Sequence, residues 1–369
     1  AQHPAKPAAQ GEPPGFLLFH TRSLPAGQNC APYHIYMEPE GVYMNQLFRW
    51  DQMGLFLLAL AAGILPFAVP EVCAAALQEG LTLCSGPLLL SLFPFLVVSR
   101  LLIQCPESDL LALPFRLAAW GIGIRTPCAA RVLCIGFLGG FAPAASAAAQ
   151  AVRTGQLTAE EADALLPACI CSGPSFVVLT VGQSLLGSAE LGVLLFAAQI
   201  TANYLTAALL NRFAGVRSVK PGSAAPASPA PPRLDEILAD AAITYCKLCG
   251  FILFFRRLAA GAGALLPAGA GTLCAILLEV CSGCDLASRT GWWGSLLCCA
   301  ALSVQGLSVL LQVRTICPPE MTLRPLYRAR MLHLPLSLAL FYLLLPGGEA
   351  DVFSTLPARV LLMRRVPPD

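Results

Sequence analysis

The feature that most constrains this chain is a series of apolar runs, many of them near twenty residues long, that recurs from about residue 55 to residue 345. A run of that length covers about 30 Å of hydrocarbon as a helix, and in lipid each backbone amide must be satisfied within its own segment. The sequence therefore predicts an all-α, polytopic helical membrane protein. Composition agrees: 56% of residues are hydrophobic and 12% are charged, against about 25% charged in soluble domains.

A formal net charge of +2 leaves no electrostatic footprint for nucleic acid. The basic residues fall mainly between the apolar runs, where they act as topology signals. Sixteen cysteines suggest a disulfide scaffold at first sight, but Cys128, Cys134, Cys169, Cys171, Cys274, Cys298 and Cys299 lie inside apolar runs, where cysteine behaves as a small hydrophobe. The pairs Cys246 with Cys249 and Cys281 with Cys284 have zinc-ligand spacing. Deprotonating four thiols at membrane depth is costly, so no metal and no cofactor is expected. Nor is an enzyme: the chain lacks a Walker phosphate loop, a His-Glu-x-x-His motif and a nucleophile elbow, and His333 is its one histidine beyond residue 43.

Residues 1–43 are polar and proline-rich and are expected to form a disordered extension, with the native start near Met44 or Met37. A first membrane half is expected over 44–211, a Pro/Ala/Ser-rich linker over 212–235, a second half over 236–346 and a basic tail over 347–369. "TGQLTAEEADALL" opens a helix with a capping box, Thr158 to Glu161.

Two apolar segments carry polar breaks. "CICSGPSFVVLTVGQSLLG" (169–187) is interrupted at Ser172, Gly173, Pro174 and Ser175, and "SVQGLSVLLQ" (303–312) repeats the pattern at Gln305, Gly306 and Ser308. Such breaks free backbone groups that must find partners in an apolar setting. The halves also resemble each other: "LFPFLVVSRLL" (92–102) aligns with "LCGFILFFRRL" (248–258), "SGPSFV" (172–177) with "QGLSVL" (305–310), and loosely 139–147 with 279–288. Two weakly similar halves with breaks at matching places point to a transporter built from repeats.

Arg49, Arg100 and the linker cations Arg212, Arg217, Lys220 and Arg233 are expected on the cytoplasmic side. An even number of crossings must then separate Arg100 from the linker, whereas three candidate spans lie there. One of them re-enters, and the helix broken at Gly173 and Pro174 is the first choice. This count puts Arg256 and Arg257 outside, which fits an inverted repeat.

Ionisable groups in apolar runs are site candidates by default. Glu71 and Glu190 read as interfacial caps. Glu279 and Asp285, which flank "VCSGC", join Ser282, Gly283, Gln305, Ser308 and Gln312 in one polar set facing a second set of Ser172, Ser175, Gln183, Gln199 and Asn203. They form either a pore or binding cavity, or interhelical hydrogen bonds.

The order "SLFPFLVVSRLL", "GGFAPAASAAAQAVRTGQLTAEEADALL", "CSGPSFVV", "GFILFFRRL", "LLEVCSGCDLA", "LSVQGLSVLLQV" and "RPLYRARMLHLPLSLALFYLLL" resembles the YlbJ-type sporulation integral membrane proteins, which carry nucleoside-recognition Gate domains. Where that family shows a Gly-Tyr-Pro-type turn and a basic residue, this chain has "GGFAPAASAAAQ". The resemblance implies two Gate-like repeats and a protein of the outer forespore membrane of a spore-forming bacterium. It also implies a role in moving dipicolinic acid into the spore, with sporulation membrane proteins or a second copy as partners. On this reading Ser172, Gly173, Ser175, Gln183, Asn203, Ser282, Gly283, Gln305, Gly306, Ser308 and Gln312 bind a small anionic substrate. The helix N-termini at Gly173 and Gly306 would supply N–H groups. Glu279 and Asp285 would couple transport to a proton or cation, or pair with Arg256 or Arg257. The alternatives are a non-transporting scaffold and a carrier of nucleosides or other small solutes.

Overall fold

The computed structural model describes residues 50–105, 107–214 and 233–345. The expected extension at 1–43, the core of the linker and the tail at 347–369 lie outside the described residues. The chain divides into two compact units, Ala1–Met53 and Gly54–Asp369, and the second carries the architecture below. Among the described residues every regular element is a helix.

The first half begins with α1 (Trp50–Ala68), α2 (Pro70–Ser85) and α3 (Pro87–Gln104), followed by the short α4 (Ser108–Leu111) and α5 (Leu113–Gly121). Next come α6 (Pro127–Gly139) and α7 (Phe141–Arg153), then α8 (Ala159–Cys169), a π-helical segment (Ser175–Leu185) and α9 (Ala189–Ala214). The second half holds α10 (Leu234–Leu265), α11 (Ala268–Leu278), α12 (Val280–Ser288), α13 (Gly294–Val304), α14 (Gly306–Ile316) and α15 (Arg324–Leu344). Proline within the first two positions starts α2, α3, α5 and α6, where its missing N–H costs nothing. The capping box of α8 forms as expected: Glu161 N donates to Thr158 Oγ1 at 3.1 Å and Thr158 N to Glu161 Oε2 at 3.1 Å.

Element by element the halves correspond. Each has a short helix, a break and a short helix (α6–α7, α11–α12). Each then has a second broken pair (α8 with the π segment, α13–α14) and a long closing helix (α9, α15). The first pair in each half folds back on itself. Gly136 of α6 faces Ala144 of α7, with a Cβ at Gly136 falling 3.2 Å from the Ala144 Cβ, and Gly283 of α12 abuts Ile276 of α11 at 2.9 Å. Residues seven or eight apart in one straight helix would stand more than about 10 Å apart. Both pairs are therefore hairpins, with Gly140 and Glu279 at their tips.

The second pair runs straight through. α9 serves as the ruler: Gly192 touches Gly182 of the π segment, Asn203 Nδ2 donates to the Ile170 carbonyl at 3.2 Å, and Asn211 Nδ2 to the Ala164 carbonyl at 3.1 Å. From Gly192 to Asn211 is about 28 Å of helix, so α8 and the π segment together traverse a bilayer's thickness. Re-entry therefore falls at Gly140, and not at Gly173 as expected from the sequence. The expected span over 129–152 is this hairpin. The required even number of crossings survives, since the hairpin returns to its own side.

Corresponding elements run in opposite directions. α9 and α15 are antiparallel, with His333 Nε2 3.2 Å from the Gln199 carbonyl and Arg330 3.3 Å from Asn203 Oδ1. α3 and α10 are antiparallel, with Arg100 on Asp240 at 2.5 Å and Phe93 edge-on to Tyr245. The relation is that of an inverted repeat. Helices over Pro70–Leu90, Ala189–Ala214, Leu234–Leu265 and Gly291–Ile316 are long and apolar enough to cross a membrane.

Candidate functional site

The hairpin tips meet the breaks of the straight pairs. In the first half Gly140 sits over Gly173: a Cβ on Gly140 would stand 2.6 Å from the Gly173 nitrogen, and its φ of +82° and ψ of −163° suit glycine alone. In the second half the glycine stands on the straight pair. Gly306, at φ +69°, lies against the tip, its Cβ position 2.9 Å from both the Leu278 carbonyl and the Glu279 nitrogen. Only backbones without side chains approach this closely.

Between the two crossings lies a cavity of about 70 Å³. Gly139 and Phe141 line it from the first tip, Glu279, Val280 and Cys281 from the second, and Ser172, Gly173, Ser175 and Phe176 from the first break. Val309 and Gln312 of α14 and apolar residues of α3 and α10 complete it. Of the residues singled out in the sequence, the fold thus brings Ser172, Gly173, Ser175, Glu279 and Gln312 to one cavity.

The others are placed elsewhere. Gln183 is exposed on the π segment, and Gly283 packs on Ile276. Gln305 and Ser308 are buried outside the cavity, with Ser308 Oγ accepting from Gln312 Nε2 at 2.8 Å. Gly306 is covered by the second tip, so its N-terminus does not face the cavity as expected. Asp285 pairs with Arg289 at 2.7 Å, and Arg256 pairs with Glu79 at 2.7 Å. Arg257 donates to the Ala62 carbonyl at 2.9 Å. Among the described residues neither Glu279 nor Asp285 is in direct ion-pair contact with Arg256 or Arg257. Glu71 and Glu190 fall in the first turns of α2 and α9.

Glu279 is only 2% exposed and forms no ion pair among the described residues. Its carboxylate caps α12 instead, accepting from Cys281 N at 2.8 Å and from Ser282 N and Ser282 Oγ at 2.7 and 2.8 Å. The positive end of the helix offsets part of the cost of a buried charge. Gln312 Oε1 is buried without a partner. Glu279, Gln312 and the hydroxyls of Ser172 and Ser175 make the polar lining rich in acceptors, a set suited to a proton, water or a small hard cation.

Sequence reasoning missed Arg330. Its Nη2 donates to the Ile170 carbonyl at 2.9 Å and to Asn203 Oδ1 at 3.3 Å, and its Nη1 to the Ser303 carbonyl at 3.3 Å. Ile170 and Ser303 stand at the broken ends of α8 and α13, so one buried cation satisfies the negative ends of both half-helices. An arginine buried in an apolar segment was the available signal. Asp163 was missed as well: it accepts from Thr322 N at 2.8 Å and Leu323 N at 3.1 Å, capping α15 from α8.

Two larger cavities flank the central one. One, of about 370 Å³, is lined by residues of α3, α7, α10 and α14 and shares Leu248 and Gln312 with it. The other, of about 400 Å³, is lined by residues of α2, the π segment, α10 and α12 and shares Phe176 and Cys281. The repeat-related helices α7 and α12, and α14 and the π segment, thus take equivalent places in opposite vestibules.

Compared with known proteins, the chain matches no family model, no curated protein and no solved structure. Its class rests on the fold: an all-helical polytopic membrane protein.

Proposed function

We propose that this protein is a carrier that moves a small anion across its membrane, exposing the central cavity in turn to the two vestibules. The observation that carries this reading is the line of three adjoining cavities, narrowest where hairpin tips and helix breaks cross. Broken helices at a repeat interface are a recurring way to build midplane sites. A space of about 70 Å³ holds about two waters, so passage of a larger solute requires the tips to part.

Glu279 is assigned to the coupling proton or cation. The face carrying Arg131, Arg153, Arg212, Arg233, Arg314 and Arg324 is placed in the cytoplasm by the positive-inside rule, with Arg256, Arg257 and Arg289 opposite. The motif order makes dipicolinate (pyridine-2,6-dicarboxylate) the cargo to test first, with the outer forespore membrane as the site of action.

The test is uptake of labelled dipicolinate by proteoliposomes under an imposed proton or sodium gradient. The native chain is expected to accumulate it, and Glu279→Gln to lose the dependence on the gradient. No uptake of dipicolinate, other dicarboxylates or nucleosides by correctly folded protein would replace the carrier with a membrane scaffold.

A further inference from the structure

We infer that the vestibule between α3, α7, α10 and α14 is an anion-binding site that takes a small oxyanion carrying two charges. This rests on the carrier reading for its role, but the binding itself does not. Three cations, Arg100, Arg153 and Lys247, line this one cavity against a single carboxylate, Asp240. Arg100 is 8% exposed, is held by Ser146 at 3.3 Å and is neutralised by Asp240 at 2.5 Å. Among the described residues the exposed Arg153 donates to the Ile316 carbonyl, at 3.4 Å, and neither it nor the exposed Lys247 forms an ion pair.

Two positive charges that have no ion pair among the described residues therefore face a space of about 370 Å³, within the range of small-molecule sites. Gln150 adds an amide to the wall. Topology signals need only lie near the membrane face, whereas these side chains converge on a cavity whose floor, Gln312, also lines the central one. The opposite vestibule has no such excess, since its carboxylates Glu79 and Asp285 are paired with Arg256 and Arg289. An anion is therefore drawn to one mouth more than to the other. The site thus separates anion recognition from Glu279, whose carboxylate would repel the same anion at the centre.

Binding is measured by equilibrium dialysis of labelled dipicolinate and of inorganic phosphate against the purified full chain in detergent, with no gradient, so that it is independent of transport. The native chain is expected to bind dipicolinate with an affinity that falls as salt rises. Arg153→Ala with Lys247→Ala should weaken binding by more than about tenfold, Lys247→Arg should preserve it, and Asp240→Asn should strengthen it. Arg289→Ala, on the opposite face, should leave it unchanged. Repeating the measurement in nanodiscs distinguishes two sources of the oxyanion. Binding equal in phosphatidylcholine and phosphatidylglycerol discs assigns a soluble anion, and binding abolished by phosphatidylglycerol assigns a lipid headgroup. No binding of either probe, or an affinity unmoved by the double variant, overturns the site. Binding without uptake would retain the site and remove the carrier reading.

Discussion

The two re-entrant hairpins have the same shape and different chemistry. α6–α7 turns at Gly140, with no side chain at the tip, while α11–α12 turns at Glu279, whose carboxylate caps the helix that follows. The close approach is conserved in form but its glycine changes sides: on the tip in the first half, on the straight pair as Gly306 in the second. The repeat supplies the scaffold and the difference between its copies supplies the charge. A neutral tip can seal against the break by backbone contact alone, whereas the acidic tip brings a titratable group to the centre.

The common scaffold is broken most severely at Arg330, which both halves share. Arg330→Met takes the donor from the Ser303 carbonyl and Asn203 Oδ1, at about 1–3 kcal/mol each, and leaves the Ile170 carbonyl with Asn203 Nδ2 alone; thermal unfolding in detergent should show the largest loss of stability in any single variant. An unchanged midpoint would mean that the two breaks are held by something else.

Next in size come the glycines. Gly140→Ala and Gly306→Ala combine a disfavoured backbone with a clash against backbone atoms, whereas Gly123, at φ +89°, has open space around it. Gly123→Ala should lose only the roughly 1–2 kcal/mol of the left-handed conformation, and the other two clearly more. Equal losses at all three positions would remove the argument for tight crossings.

The chemical difference is sharpened by Glu279→Gln. Losing one charged cap acceptor should lower stability by about 1–2 kcal/mol while abolishing gradient-coupled uptake. Uptake that still follows the gradient would show that the acidic tip serves only as a cap. The smallest effect belongs to the exposed pair of Asp285 and Arg289, four residues apart on α12 and the turn after it. Arg289→Ala should shift stability by less than about 0.5 kcal/mol, and a large shift would mean that the opposite vestibule depends on this pair.

Much of the architecture was legible in the sequence. Breaks at Gly173 and Gly306 stood out because polar and flexible residues interrupt apolar runs, and the capping box at Thr158 because it is local. The correspondence of 139–147 with 279–288 was visible too, though not its meaning: from Gly139 to Ala145 the stretch is apolar or small, with Phe141 and Pro143 and no polar side chain, so its reversal left no hydropathy signal. Pro174 and the serines at 172 and 175 drew the re-entrant assignment instead. Asn203 and Gln305 were assigned to the substrate-binding set, but their distance from the cavity depends on which face of each helix turns inward, a matter of packing.

The sequence by itself determined that this chain is helical, membrane-embedded and doubled, because hydropathy, breaks and repeats are local properties that each segment carries alone. Only the tertiary structure decided which helix turns back, which glycine meets which backbone and which carbonyls Arg330 joins. Those contacts link residues as far apart as Ile170 and Arg330, and a backbone acceptor leaves no mark on residue identity.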